Sequence, residues 1–149
     1  MNPSRSLKIY IASSFRNLHA VNMLSDRLTD MGHTILDWTA LAPPLPPDMR
    51  PEERRAALDS DARGSIFEFC SSACAGADLV IYLGGSGQDA AVEVGIAFNA
   101  GVPVLGLRGP MEAPGLMLTR AVLEWHERVY TLLLAVECLA EEKAEGYAV

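Results

Sequence analysis

Cysteine, histidine and positive charge are all scarce in this sequence, and each shortage removes a class of function. The three cysteines, Cys70, Cys74 and Cys138, are odd in number and form no CxxC pair, so neither a disulfide framework nor a zinc site is indicated. They read as small buried hydrophobes. His19, His33 and His126 are scattered without ligand spacing, and no metal is expected. Twelve lysines and arginines stand against nineteen acids, for a net charge of -7. Such a chain repels a nucleic-acid backbone, so no nucleic-acid polymer is expected as partner. A single nucleotide needs only one or two positive groups or a helix N-terminus. Long apolar runs are missing too, which excludes a membrane span. The first apolar stretch, in MNPSRSLKIYIASSF, breaks at Ser13 and Ser14 with no small-residue cleavage site behind it. A cytoplasmic protein is therefore expected.

What is present is enough for a core. Half of the 149 residues are hydrophobic, which argues against disorder, and the length suits one domain spanning 1–149. Leu7 to Ala12 is apolar and partly β-branched, as in a buried strand. From Asn17 to Met31, Leu18, Val21, Leu24, Leu28 and Met31 recur at helical spacing, with Gly32 as a stop. His33 to Trp38 predicts a second strand. Then TALAPPLPPDMRP carries five prolines in thirteen residues, so it is an exposed, extended loop.

Pro51, followed by Glu52 and Glu53, opens a helical stretch to about Ala75, with a break at Gly64. Asp78 to Leu83 is a third strand, GGSGQD a glycine loop, Ala90 to Ala100 a helix, and Val102 to Leu107 a fourth strand. In the last third, Leu118, Val122, Trp125, Val129, Leu132, Val136 and Leu139 keep a heptad-like spacing that one long helix, and assembly through it, would satisfy. WHERVYT is rich in β-formers, and a fifth strand before a helix from about Leu132 to Lys143 is the preferred reading. Alternating strands and helices imply an α/β fold, doubly wound, with a mostly parallel sheet of four to five strands and helices on both faces. That is a flavodoxin-like or Rossmann-like layout.

In open α/β sheets, ligands bind beyond the carboxyl ends of the strands. Two such ends stand out: Ser13, Ser14, Phe15 and Arg16 after the first strand, and Gly85, Ser86 and Gly87 after the third. The glycines let backbone N–H groups approach a ligand. The loop has neither a Walker GK[ST] nor Rossmann GxGxxG spacing, and no cofactor is called for. Two serines and a guanidinium suit an anion, although they would also serve a plain turn and a surface charge. Glu93 is the only charged residue between Asp89 and Arg108. On a helical wheel it shares its face with Ala90, Ile96, Ala97 and Ala100. It either complements the helix dipole or, partly desolvated beside a cleft, serves as nucleophile or general base. Asp89 reads as the N-cap of that helix.

KIYIASSFRN, GHTILDWT and ADLVIYLGGSGQDAAVEVGIAFNAGVPVLGL together resemble the nucleoside 2-deoxyribosyltransferase-like superfamily, which includes the 2'-deoxynucleoside 5'-monophosphate N-hydrolases. The resemblance covers most of the chain. It implies an N-glycosidic bond of a nucleoside or nucleotide as the target, with transfer to another base or to water. In the family the glutamate of an E-x-G step attacks the anomeric carbon, and that step maps onto Glu93, Val94 and Gly95. Ser14 and Arg16 match the serine and arginine with which the monophosphate hydrolases bind a 5'-phosphate. The resemblance also implies a homo-oligomer whose sites borrow residues from a neighbouring subunit. Where the family commonly has an aspartate, eight residues before the aspartate that opens the third strand, this chain has Cys70. A non-catalytic nucleotide or metabolite sensor is the alternative that this departure suggests.

The chemistry needs a second group to protonate the leaving base, and Asp89 is the candidate. Asp37 and Trp38 are candidates for the base pocket, with the indole stacking on a nucleobase. Equally, Trp38 suits the core and Asp37 a turn.

Overall fold

The computed structural model describes residues 5–41 and 43–146; Ala42 of the proline loop and both ends of the expected 1–149 domain lie outside them. Among the described residues five strands form one sheet: β1 (Lys8–Ala12), β2 (Thr34–Ile35), β3 (Leu79–Leu83), β4 (Val104–Leu107) and β5 (Glu124–His126). Six α-helices among the described residues connect and follow them, with α2 and α3 both between β2 and β3: α1 (Leu18–Asp30), α2 (Pro51–Leu58), α3 (Asp61–Gly76), α4 (Gln88–Asn99), α5 (Leu116–Ala121) and α6 (Val129–Ala144). All four strand pairings are parallel, in the order β2-β1-β3-β4-β5. This is the flavodoxin-like order, whose switch point lies between β1 and β3.

The strands are apolar on both sides because both faces are covered. Ile9, Ile11, Leu79, Ile81, Leu83 and Leu105 pack against Val21, Leu24 and Leu28 of α1 and Leu132, Val136 and Ala140 of α6. The alternate residues Tyr10, Ala12, Val80, Tyr82 and Val104 face Ala73 and Cys74 of α3 and Ala90, Val94 and Ala97 of α4. Period-two alternation thus assigns Tyr10 and Tyr82 to the α3/α4 side, where the candidate acid also lies.

Several predicted boundaries move. The second strand is two residues long, not six. Leu36 N–H still donates to Ile9 O at 2.8 Å, but Asp37 Oδ1 then accepts from Thr39 N–H and Oγ1 and turns the chain. The Trp38 indole N–H takes Ile11 O at 2.7 Å, where another strand residue would otherwise bond. The helical break falls at Asp59 and Ser60 rather than Gly64. Ser60 donates its hydroxyl to Ala57 O and accepts from Arg63 N–H, closing α2 and capping α3, while Gly64 sits within α3.

A fifth strand forms, but only over Glu124–His126: Val129 to Thr131 of the expected WHERVYT strand instead open α6, and the single long C-terminal helix does not form. The heptad-spaced residues divide between the two faces of the sheet, Val122 against one and Leu132 with Val136 against the other, so they make no common seam. β5 docks because Gly106 has no side chain: a Cβ there would stand 2.6 Å from the Trp125 ring. Helix α5, in the connection before β5, carries no clear periodicity and was not expected. Cys74 is buried as anticipated and Cys70 partly so, whereas Cys138 is exposed on α6, because its position lies off the Leu132–Val136–Ala140 stripe that faces the sheet.

Candidate active site

The loops after β1 and β3 meet at the switch point, as adjacent parallel strands require. Their contact is polar and dense. Ser13 Oγ donates to Leu83 O at 3.0 Å and lies 3.0 Å from Ser86 Oγ, which donates to the same carbonyl at 2.6 Å. Asn17 Nδ2 donates to Gly85 O at 3.1 Å and reaches both serine hydroxyls at 3.2 Å. Ser13 and Ser86 therefore join the two loops. Asn17, the last residue of the SSFRN run, belongs with them, although sequence reasoning singled out only its four predecessors.

Ser14 Oγ is buried and has no hydrogen-bond partner among the described residues. Arg16 is exposed, and its Nη2 lies 3.9 Å from where a Cβ on Gly87 would stand, so the guanidinium reaches across to the glycine loop. Phe15 meets Trp38 edge to face at 5.0 Å between centroids. Trp38 is half-buried at this end of the sheet, while Asp37 is exposed and engaged by Thr39. Trp38 and Phe15 are thus brought together, and Asp37 is spent on the turn.

Glu93 points inward because it lies three residues after Ala90 and four before Ala97, both buried. Tyr10, on the sheet face opposite, donates its hydroxyl to Glu93 Oε1 at 2.7 Å. Glu93 Oε2 is buried and takes no hydrogen bond among the described residues. Burial pushes the Glu93 carboxyl up to about 7; the Tyr10 hydrogen bond opposes the rise and the charge of Asp89 adds to it. Tyr10 is itself driven far above the ordinary phenol range by burial and by Glu93. It remains a donor at any ordinary pH.

The neighbouring thiols are not thiolates. Burial raises Cys70, and Cys74 is pushed up to about 12 by burial and by the Glu93 charge. Asp89 is exposed in the first turn of α4 and is not the N-cap. That position is Gly87, with no side-chain cap, because the helix begins at Gln88, one residue before Asp89. Among the described residues no three His, Cys, Asp or Glu side chains gather as metal ligands, and no helix is long and apolar enough to cross a membrane.

The sequence missed Tyr10, because a tyrosine inside an apolar strand reads as core; only its even-numbered register, shared with Tyr82, hints at the α4 side. It also missed Glu112, in the loop after β4, whose carboxylate lies against the glycine loop.

No family model matches the chain, and no curated protein matches it. Solved structures do. The chain has the α/β fold of a 2-deoxyribosyltransferase from Bacillus psychrosaccharolyticus, with a TM-score of 0.59 at 24% identity, covering 84% of this chain and 89% of that one. It has equally the fold of the CMP N-glycosidase of Clostridium botulinum, with a TM-score of 0.57 at 13% identity over 87% of this chain and 98% of that one. At these identities the likeness is one of fold, and it is the fold that the sequence resemblance implied.

Proposed function

We propose that this protein belongs among the nucleoside 2-deoxyribosyltransferase-like enzymes and cleaves the N-glycosidic bond of a nucleoside 5'-monophosphate, with Glu93 as nucleophile. The observation that carries the reading is the state of that carboxylate. One oxygen is fixed by Tyr10, and the other is buried and takes no hydrogen bond among the described residues. A side chain serving only the helix dipole has no need of either feature. The two fold neighbours, a deoxyribosyltransferase and a CMP N-glycosidase, support the reaction class.

In this reading Glu93 Oε2 bonds to the anomeric carbon as the C–N bond breaks, and the base leaves with the bonding pair and takes up a proton. Asp89, one helical turn before Glu93 and exposed to solvent, is proposed to pass that proton from water to the leaving base. Water or a second base then attacks the same carbon and frees the carboxylate. Ser14, Arg16 and the backbone at Gly85 to Gly87 take the 5'-phosphate, and Trp38 with Phe15 forms the wall beside the base. Incubation with CMP and the 2'-deoxynucleoside 5'-monophosphates tests the proposal: no base released from any of them would refute it.

The nucleophile works ionised, so kcat/KM is expected to fall about tenfold per pH unit below about 7. Tyr10→Phe removes the one hydrogen bond that favours the charged carboxylate, so the limb should move upward. A hydrogen bond to a charged group is worth about 1.5–3 kcal/mol, which sets the move at about one to two pH units. A pH–rate profile with an unmoved limb would show that Tyr10 does not act on Glu93.

A homo-oligomer is part of the proposal. The helical layer carrying Glu93 exposes Phe67, Val92, Phe98, Leu116 and Met117, apolar side chains that a neighbouring subunit would cover. Light scattering should return a mass above 16.1 kDa; a strict monomer at micromolar concentration would remove this part.

A further inference from the structure

On the side of the glycine loop away from Ser13 and Asn17, a second carboxylate closes against it. Glu112, between β4 and α5, accepts the Tyr82 hydroxyl at Oε1 and the Gly109 N–H at Oε2, the latter at 2.8 Å. The Tyr82 oxygen accepts in turn from the Ser86 N–H at 3.3 Å. Three groups thus stand in line: carboxylate, phenol and a backbone amide of the loop. The fit is close. A Cβ on Gly84 would overlap the Glu112 carboxylate, and one on Gly109 would overlap the backbone of Gly84 and Gly85. Glycine at both positions is what lets the β4–α5 connection approach.

Tyr82 has little freedom to point elsewhere. It is 1% exposed, and its ring stands edge-on to Trp125 at 5.7 Å between centroids. Burial and the bond to Glu112 push its hydroxyl up to about 12, so the proton stays on the phenol and is available to the carboxylate. Ser86 is then gripped from both sides. Its hydroxyl is engaged by Leu83 O, Ser13 and Asn17, and its amide by Tyr82.

We infer that Glu112 is a positioning residue of this site, which through Tyr82 fixes the Ser86 amide and with it the loop that faces the ligand. The inference rests on the reading of that loop as a nucleotide-binding element. Nothing in the relay touches Glu93, so its effect falls on binding rather than on the bond-breaking step. Glu112→Gln leaves one acceptor oxygen for two donors, and Tyr82→Phe removes the central oxygen without changing the ring.

Each variant is expected to raise KM for the monophosphate that turns over best by about tenfold, the worth of one such hydrogen bond, with kcat within about twofold of the parent. The double variant should be no worse than the poorer single, because both changes break the same chain. Effects that multiply, or a KM that stays put in Tyr82→Phe, overturn the inference. Amide hydrogen exchange in the ligand-free protein gives a readout independent of activity. Exchange at Ser86 should quicken about tenfold in both single variants, while the Asp78 amide, bonded to Lys8 O at the far end of β3, stays unchanged. Unaltered exchange at Ser86 overturns the relay. A parent protein that releases no base refutes the proposed function instead, and the exchange result still decides the relay.

Discussion

Glu93→Gln is expected to abolish base release, lowering kcat by on the order of 10³-fold or more against every monophosphate that the parent cleaves. The amide is nearly the shape of the protonated acid, and its oxygen still accepts from Tyr10, so the pocket keeps its packing and its hydrogen bond. What it loses is the nucleophile. Glu93→Ala should match it in rate, because no other acid stands in its place: Asp89 is exposed a full helical turn away, and the Cys70 and Cys74 thiols are held protonated. If Glu93 served only the helix dipole, its removal would cost about 0.3–1 kcal/mol of stability and little or no rate. Steady-state base release, followed by chromatography, separates these outcomes by orders of magnitude. Release that persists in Glu93→Gln would leave the crevice without its proposed chemistry. Nucleotide binding without turnover in the parent, weakened by Arg16→Ala, would point to a sensor.

The fold was legible because its cause is local and repeated. Apolar runs at β1, β3 and β4, separated by amphipathic helices, permit little other than a parallel sheet covered on both faces. The pairing of β1 with β3, which brings Ser13 to Ser86, was not decided by that alternation, because doubly wound sheets place either β3 or β4 beside β1; the strand order of the fold decides it. Glu93 was legible for a different reason, as an acid inside an apolar helical stripe. The features that escaped are those set by tertiary contact. β2 stops after Ile35 because an indole from Trp38 takes over the next carbonyl of β1, and no propensity scale contains that substitution. Tyr10 looked like core and is core on every side but its hydroxyl. Glu112 lies in a Pro- and Gly-containing loop, where an acid attracts no notice, and only its approach to Gly84 and Tyr82 gives it a role.

The substitution that removes activity should also stabilise the protein, by about 3 kcal/mol at pH 8 and not at all near pH 4. The Glu93 carboxyl ionises near 4.5 in the unfolded chain and near 7 in the fold. Between those values the folded state holds the extra proton, so stability falls as pH rises through this window and is level above it. At about 1.4 kcal/mol per pH unit the accumulated penalty is about 3 kcal/mol, an upper figure for a side chain that relaxes on charging. Glutamine carries no charge to desolvate and escapes the whole of it. Below about pH 4.5 parent and variant present equally neutral side chains to the same Tyr10 donor, and their unfolding midpoints should coincide. At pH 8 the variant should melt several degrees higher, given about 2–4 °C per kcal/mol for a chain of this size. A difference independent of pH, or a variant less stable at pH 8, would mean that water or a neighbouring charge solvates the carboxylate. In that case Glu93 would ionise near its ordinary value, and the acid limb of the rate profile would shift down with it. The two measurements therefore share one cause. Burial that disfavours the carboxylate in the resting protein is also what leaves Oε2 unsolvated, the condition on which the proposed attack at the anomeric carbon relies.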